Sequence, residues 1–281
     1  MRIIAPEEIT TAVEELAVRA SIDLPGDVEE ALACAEEAEN SPLARYALRM
    51  LVENARLARR ERLPLCQDTG TFHLFIDLGE GTALPHGCAE AADEGLRRAT
   101  AYVPLRSSLV DDPLFARPDR GNNTPVLIHA GEGGPAGRAR LSLMAKGGGS
   151  ENAAQLFMLL PGEGEGGVEK VVLEAVRAKG AHACPPLIVG VGVGSDAAGA
   201  IEMALRCLLR TLGSRHPRKA LAALEERLLH AVNATGIGAA GLGGDITALD
   251  VHIEEAPTHM ASLPVGVALC CHSLRRCHVE V

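Results

Sequence analysis

The chain has 281 residues, 47% of them hydrophobic, which is enough for a sizeable core as one large domain or two small ones. A formal net charge of −10 excludes a nucleic-acid partner, which would need clustered Lys and Arg, and four Phe, two Tyr and no Trp leave no stacking platform for single strands. No apolar run is long enough for a membrane span and the start, Met-Arg-Ile-Ile-Ala-Pro-Glu-Glu, carries no apolar signal region, so the expected location is cytoplasmic.

Pro6 followed by Glu7 and Glu8 suits a helix start, and residues 10–19 place apolar side chains at helical spacing. A further helix opens at Ser41-Pro42 and runs to Arg60, with Leu48, Leu51, Val52 and Ala55 on one side. Cys34 is expected to pack in the core of this helical segment, residues 6–60. From residue 63 the pattern alternates. Residues 72–78 and 126–130 predict strands, with a helix over 86–101 between them, and 138–144 lead as a strand into a glycine loop. Helices are expected from Ser150 onward and over 167–179, then a buried strand at 187–193. Helices over 196–212, with Cys207 packed inside, and 217–233 follow. Three strands, 247–253, 265–270 and 277–281, complete the chain. A core built from Val, Leu, Ile and Ala suits helices layered on a sheet. The expected organisation is one α/β domain over 1–281: a helical segment at 6–60, then an α/β portion at 63–281 whose strand order the pattern does not specify.

Cys66-Gln67-Asp68-Thr69-Gly70 sets a soft metal ligand, an amide, a carboxylate, a hydroxyl and a flexible turn just before a strand. A core rarely uses that mixture, because each buried polar group must find a partner. Lys146-Gly147-Gly148-Gly149-Ser150-Glu151-Asn152 offers backbone N–H groups as an anion nest beside a cation, or a glycine turn without a ligand. Arg106 can clamp a carboxylate with two parallel hydrogen bonds, or pair with Asp111 or Asp112. Cys184 precedes Pro185-Pro186, which predicts an extended turn for the thiol. Eight cysteines with no C-x-x-C pair and no secretion signal suggest thiols or metal ligands rather than disulfides or a zinc ribbon.

Two further patterns have plain explanations. Asp250, His252 and Glu254 share a strand face by period two and read as a solvated or interface face. The run from Gly192 to Ala197 matches G-x-G-x-x-A, but no acidic residue follows about twenty positions on; tight strand–helix packing explains those glycines equally well.

Six segments, in order from Leu65 to Cys271, resemble the class I, iron–sulfur-dependent fumarase and tartrate dehydratase family. They are Leu65-Cys66-Gln67-Asp68-Thr69-Gly70, the Lys146–Asn152 loop, Cys184-Pro185-Pro186, the Gly236–Gly244 glycine run, Pro257-Thr258-His259-Met260-Ala261-Ser262-Leu263-Pro264-Val265, and Cys271. The resemblance implies a helical N-terminal segment followed by a mixed sheet flanked by helices. It also implies a [4Fe-4S] cluster held by Cys66, Cys184 and Cys271, with one iron left open to substrate. Cys270 is the rival of Cys271; counting seven residues from Pro264 selects Cys271, and Cys88 and Cys277 read as bystanders. By the same resemblance Asp68 handles a hydroxyl proton, His259 orients that group or the substrate, and Gln67, Arg106, Lys146 and Gly149 bind substrate. The implied activity is reversible hydration of a C4 dicarboxylic acid, most simply fumarate to L-malate. The alternatives are the alpha chain of L(+)-tartrate dehydratase and a non-catalytic iron–sulfur redox-sensing protein. The resemblance ends near Val281, where single-chain members continue into a second domain, so it implies a separate beta chain and a dimer of alpha–beta pairs.

Overall fold

A computed structural model describes residues 1–281. In chain order the elements are β1 (Arg2–Ile3), α1 (Pro6–Ile22), α2 (Gly26–Ala38), α3 (Pro42–Glu61), β2 (Thr71–Leu78), β3 (Thr82–Ala83), α4 (Cys88–Tyr102), β4 (Leu127–Glu132), β5 (Ala139–Lys146) and the one-turn α5 (Gly148–Glu151). There follow β6 (Gln155–Leu159), α6 (Gly164–Lys179), β7 (Leu187–Ser195), α7 (Ala197–Cys207), α8 (Lys219–Asn233), β8 (Ala248–Thr258), β9 (Leu263–Cys270) and β10 (Arg275–Glu280). The chain is α/β with mixed sheets flanked by helices, as the sequence implies. Two compact units divide it: Met1–Pro25, Asn54–Gly148 and Arg275–Val281 form the first, Gly26–Glu53 and Gly149–Leu274 the second.

In the first unit a four-stranded sheet has the order β10-β5-β2-β4, with β2 parallel to β4 and antiparallel to β5. Helix α1 starts at Pro6, with Glu7 and Glu8 favourably placed in its first turn, and buries Ile9, Ala12, Val13, Leu16 and Ala17 on one face. It lies unusually close to α4: the Thr10 hydroxyl donates to Ala91 O at 3.0 Å, and a Cβ on Gly95 would fall 2.4 Å from Thr10 O. The core combines those α1 residues with Phe72, Leu74 and Ile76 of β2 and Leu141 and Leu143 of β5.

The second unit contains a sheet of order β6-β9-β7-β8; β7 runs parallel to β8 and antiparallel to β9. Its core joins Val168, Val171, Val172 and Val176 of α6 to Val189 and Val191 of β7, Leu228 and Val232 of α8, and Val265 and Val267 of β9. Gly190 and Gly192 are explained by packing, not by a dinucleotide. Cβ atoms there would fall 2.0 and 2.1 Å from the carbonyl oxygens of Ala204 and Ala200 on α7.

Several expectations need correction. The helix expected from Ser150 onward ends at Glu151, and residues 155–159 form the edge strand β6. That stretch has no polar helical face, and Pro161 cuts it short. Helix α7 stops at Cys207, because the backbone beyond is tied elsewhere: Leu212 N–H donates to Asp27 and Gly213 N–H to Asp250. Cys34 is exposed rather than in the core. Asp250 and His252 are not solvated: they are 1% and 0% exposed, on the face covered by α7 and the segment after it, where His252 Nδ1 meets Cys207 O at 3.2 Å. Asp250 accepts hydrogen bonds from Gly213 N–H and Arg215 at 2.7 Å each and faces His252 Nε2 at 3.1 Å. Burial alone would raise its carboxyl pKa; the bonds from His252, Gly213 and Arg215 outweigh that and hold it at about 2.

Candidate functional site

In the first unit, the sheet order brings the chain leading into β2, the end of β5 and the start of β10 to neighbouring positions. Thr71 pairs with Lys146, and Arg275 pairs with Ala145. The Cys66–Gly70 segment therefore lies against the glycine loop. Gly70, at φ +78°, is required there, since a Cβ would fall 2.3 Å from Lys146 O. Asp68 Oδ2 accepts the Gly148 N–H at 2.7 Å. A Cβ on Gly147 would meet that oxygen at 2.9 Å and Arg275 Nη2 at 3.7 Å. Part of the anticipated backbone nest is thus already occupied by a carboxylate of the chain itself.

Cys66 is half-buried, and its sulfur accepts the Asp68 N–H at 3.4 Å while lying 3.7 Å from Gln67 Oε1. Gln67 is exposed, and Lys146 is fully buried. Arg106 is exposed and pairs with neither aspartate proposed for it: Arg120 takes Asp111, while Asp112 accepts the N–H groups of Leu114, Phe115 and Ala116. Those three backbone bonds hold the Asp112 carboxyl below the usual range.

In the second unit, the pairing of Ile188 with Cys270 sets the end of β9 beside the start of β7, three residues after Cys184. The Cys184 carbonyl accepts the His272 N–H at 3.3 Å and faces His272 Nδ1 at 3.0 Å. Cys271 donates its N–H to Ser150 Oγ at 3.1 Å, and its sulfur lies 3.2 Å from Ser273 Oγ. Cys184, Cys271 and the Ser150 end of the glycine loop are thus local neighbours. Cys184 is not extended, as its position before proline suggests, but left-handed at φ 55° and ψ 68°, where it ends the 3₁₀ turn Gly180–Ala183. Cys270 is buried and Cys271 half-exposed, so the two neighbours have the opposite surroundings that strand alternation predicts.

Gly149 is required by close approach, since a Cβ would fall 2.8 Å from His182 O. It lines a cleft of about 450 Å³ with Asn152, Ala153, Lys179 and His182. His259 is exposed and accepts the Ala261 N–H at Nδ1 (3.1 Å); it lines a different cavity of about 380 Å³, among Arg218, Leu221, Thr258 and Leu263. The Gly236–Gly244 run is held locally. Ala240 N–H donates to Pro185 O at 2.8 Å, and Glu39, fully buried, accepts the N–H groups of Asp245 and Ile246.

The donor chemistry of the cysteines fits a cluster held by Cys66, Cys184 and Cys271, although within neither unit do three or more His, Cys, Asp or Glu side chains converge as a metal site. No disulfide joins any of the eight cysteines. Cys207 is buried and donates to Val191 O, and burial pushes its thiol well up. Cys277 donates to Leu16 O and burial pushes it to about 12; Cys88 is raised by burial and by Glu90. These three favour the protonated form, which is a poor ligand. Cys184 is exposed, and Cys66 and Cys271 are partly exposed, as Cys88 and Cys277 also are.

Sequence reasoning missed Arg275, Glu39, Lys179 and His182. Arg275 and His182 lie four and two residues from expected cysteine ligands, which is the one signal that could have drawn notice to them.

A family model described as Fumarate hydratase (Fumerase) matches residues 10–280. The protein named "Putative L(+)-tartrate dehydratase subunit alpha" from Methanocaldococcus jannaschii is 40% identical over 274 residues, covering 96% of each chain. "L(+)-tartrate dehydratase subunit alpha" from Escherichia coli is 31% identical over 281 residues, covering 97% of this chain and 90% of that protein. The Shigella sonnei protein of the same name matches at the same identity and coverage.

Proposed function

The chain belongs to the fumarate hydratase (Fumerase) family, and from that premise we propose that it is the alpha subunit of a hydro-lyase acting on a C4 dicarboxylic acid, with fumarate and L-malate as the leading pair. The observation that carries the reading is the Asp68 carboxylate, fixed by Gly148 N–H beside a Cys66 sulfur that accepts an N–H of its own. A general base two residues from a metal-ligating thiolate is what a metal-assisted hydration requires.

Cys66, Cys184 and Cys271 would hold a [4Fe-4S] cluster, which when bound supplies a Lewis acid toward the substrate hydroxyl. Asp68 takes up or returns the proton of that hydroxyl. Its Oδ2 is engaged by Gly148, so the carboxylate is held in one orientation for the purpose. Arg106, unpaired with Asp111 or Asp112, is available to a carboxylate, and Gln67, exposed in the Cys66–Gly70 motif, donates an amide N–H. Lys146 contributes positive charge from the base of the loop, and Gly149 allows close approach of the backbone. His259, whose Nδ1 is occupied by Ala261 N–H, presents Nε2–H as a donor. The base at the neighbouring carbon, and further carboxylate-binding cations, come from a separate beta chain in a dimer of alpha–beta pairs.

A second reading, L(+)-tartrate dehydratase, is favoured by the names of the relatives. The deciding experiment loads the cluster anaerobically, with and without a co-expressed beta chain, and measures turnover of fumarate, L-malate, L(+)-tartrate and mesaconate. Fumarate hydration only in the presence of both chains is expected. Preference for tartrate selects the second reading, and substantial activity from this chain alone overturns the two-chain assignment. Asp68→Asn should keep the visible cluster absorbance while losing turnover by about 10²–10⁴-fold. Arg106→Lys should cost about tenfold to a hundredfold in kcat/KM through loss of the fork geometry.

A further inference from the structure

Buried charges in this chain are, as a rule, well matched. Glu39 accepts backbone N–H groups of Ser41, Asp245 and Ile246. Glu225 accepts from Arg210 and from the N–H groups of His216 and Ile253. Asp250 takes Arg215 and Gly213 N–H. Arg275 departs from that rule. It is 2% exposed and one of the largest buried side chains, yet it makes no ion pair, and its Nε has no hydrogen-bond partner. An Nε–H removed from water without a partner keeps its desolvation cost and gains nothing in return. A guanidinium in this condition, with further donors in the same fork, suits an anion from outside the chain.

The surroundings say which anion. Arg275 opens β10 and pairs with Ala145, so it stands at the root of the glycine loop. Its Nη2 lies 3.7 Å from the point where Gly147 would carry a Cβ, and Asp68 Oδ2 lies 2.9 Å from the same point. Gly147 thus lies between a cation and a carboxylate, where a side chain of its own would crowd Asp68. A phosphate or sulfate on Arg275 would meet the Asp68 charge at close range. A 2-hydroxycarboxylate suits both groups: its carboxylate accepts the guanidinium fork and its hydroxyl donates to Asp68.

We infer that Arg275 is a substrate-binding residue that takes the carboxylate next to the hydroxyl-bearing carbon, with Gly147 free of the side chain that would displace Asp68. The inference deepens the hydro-lyase reading and rests on it. It adds to Arg106 a second carboxylate-binding arginine supplied by this chain.

The test uses the full chain purified with its companion subunit and follows binding of succinate and its monoamide, succinamate, by calorimetry, so turnover is not required. Wild type should prefer succinate. Arg275→Gln should weaken succinate at least tenfold and bring the two affinities close together, and Arg275→Lys should fall between, because it keeps charge and loses the fork. Circular dichroism confirms folding of each variant; if the Gln variant does not fold, the Lys variant decides, with a loss of at least threefold expected. Inorganic phosphate should not compete with succinate. Wild-type succinate affinity in a folded Arg275 variant, or competition by phosphate, overturns the assignment. Failure of the wild type itself to bind succinate is a different result, which removes the hydro-lyase reading and this inference with it.

Discussion

Asp68 and Gly148 meet across eighty positions of chain through a 2.7 Å hydrogen bond from backbone N–H to carboxylate. The bond holds one oxygen and leaves the other free, so the glycine loop acts as the splint of the carboxylate rather than as an open anion nest.

Gly147→Ala should separate function from stability. The new methyl would meet Asp68 Oδ2 at 2.9 Å, and a side-chain end can move aside. Thermal melting should change by no more than the equivalent of about 1 kcal/mol, while kcat/KM falls at least about tenfold. Gly70→Ala should do the reverse. Its Cβ meets the Lys146 carbonyl at 2.3 Å, and its φ is +78°, so destabilisation should exceed about 2 kcal/mol. Equal effects of the two on melting would refute the distinction.

Cys184 occupies a left-handed conformation that a non-glycine residue enters at a cost of about 1–2 kcal/mol. In cluster-free protein Cys184→Gly should therefore be more stable than Cys184→Ala by about 1 kcal/mol in denaturant titrations. Both should lack visible cluster absorbance. Identical denaturation midpoints would mean that the turn stores no strain.

The cysteines should sort by surroundings. Cys271→Ala should abolish the cluster chromophore and Cys270→Ala should retain it, the reverse pattern assigning the ligand to Cys270. In cluster-free native protein Cys34 and Cys184, both exposed, should react quickly with a thiol reagent, whereas Cys207 and Cys277, which burial pushes up, should wait for unfolding. Mass mapping of the labelled sites decides.

Acid should expose the role of Asp250. Its carboxyl sits at about 2 in the fold, against about 3.9 in an unfolded chain. A depressed carboxylate stabilises above the unfolded value and loses that contribution as pH falls towards the folded one, here between about pH 4 and 2. The amount is about 2–3 kcal/mol. Asp250→Asn should be less stable at pH 6 and should show a shallower decline over the acid range, measured by urea midpoints. A slope unchanged from wild type would rule out the linkage.

What the sequence revealed follows from the range of the interactions concerned. Strands β2 and β7 were legible because burial on both faces leaves nearly continuous apolar runs. β6 was not, since five mostly apolar residues after a helical turn suit either structure until a neighbouring strand decides. Period two put Asp250 and His252 on one face, but only the packing of α7 and the segment after it shows that this face is covered. Cys34 sits among alanines, yet the buried stripe of α2 runs through Val28, Leu32 and Ala35. The motif residues Cys66, Asp68 and Gly149 could be picked out locally. Arg275 and Glu39 could not, because what makes each of them notable comes from chain more than a hundred residues away.

Strand β10 returns to the first unit only after the chain has built the whole of 149–274. During synthesis β5 therefore keeps an unpaired edge until residue 280 has left the ribosome, and the second unit, complete at Leu274, can close before the first. Arg275 is the first residue of that last strand. The loop carrying Asp68 can thus take its final form only after β10 has been made, so a chain cut just before Arg275 would have a finished second unit and an unfinished first.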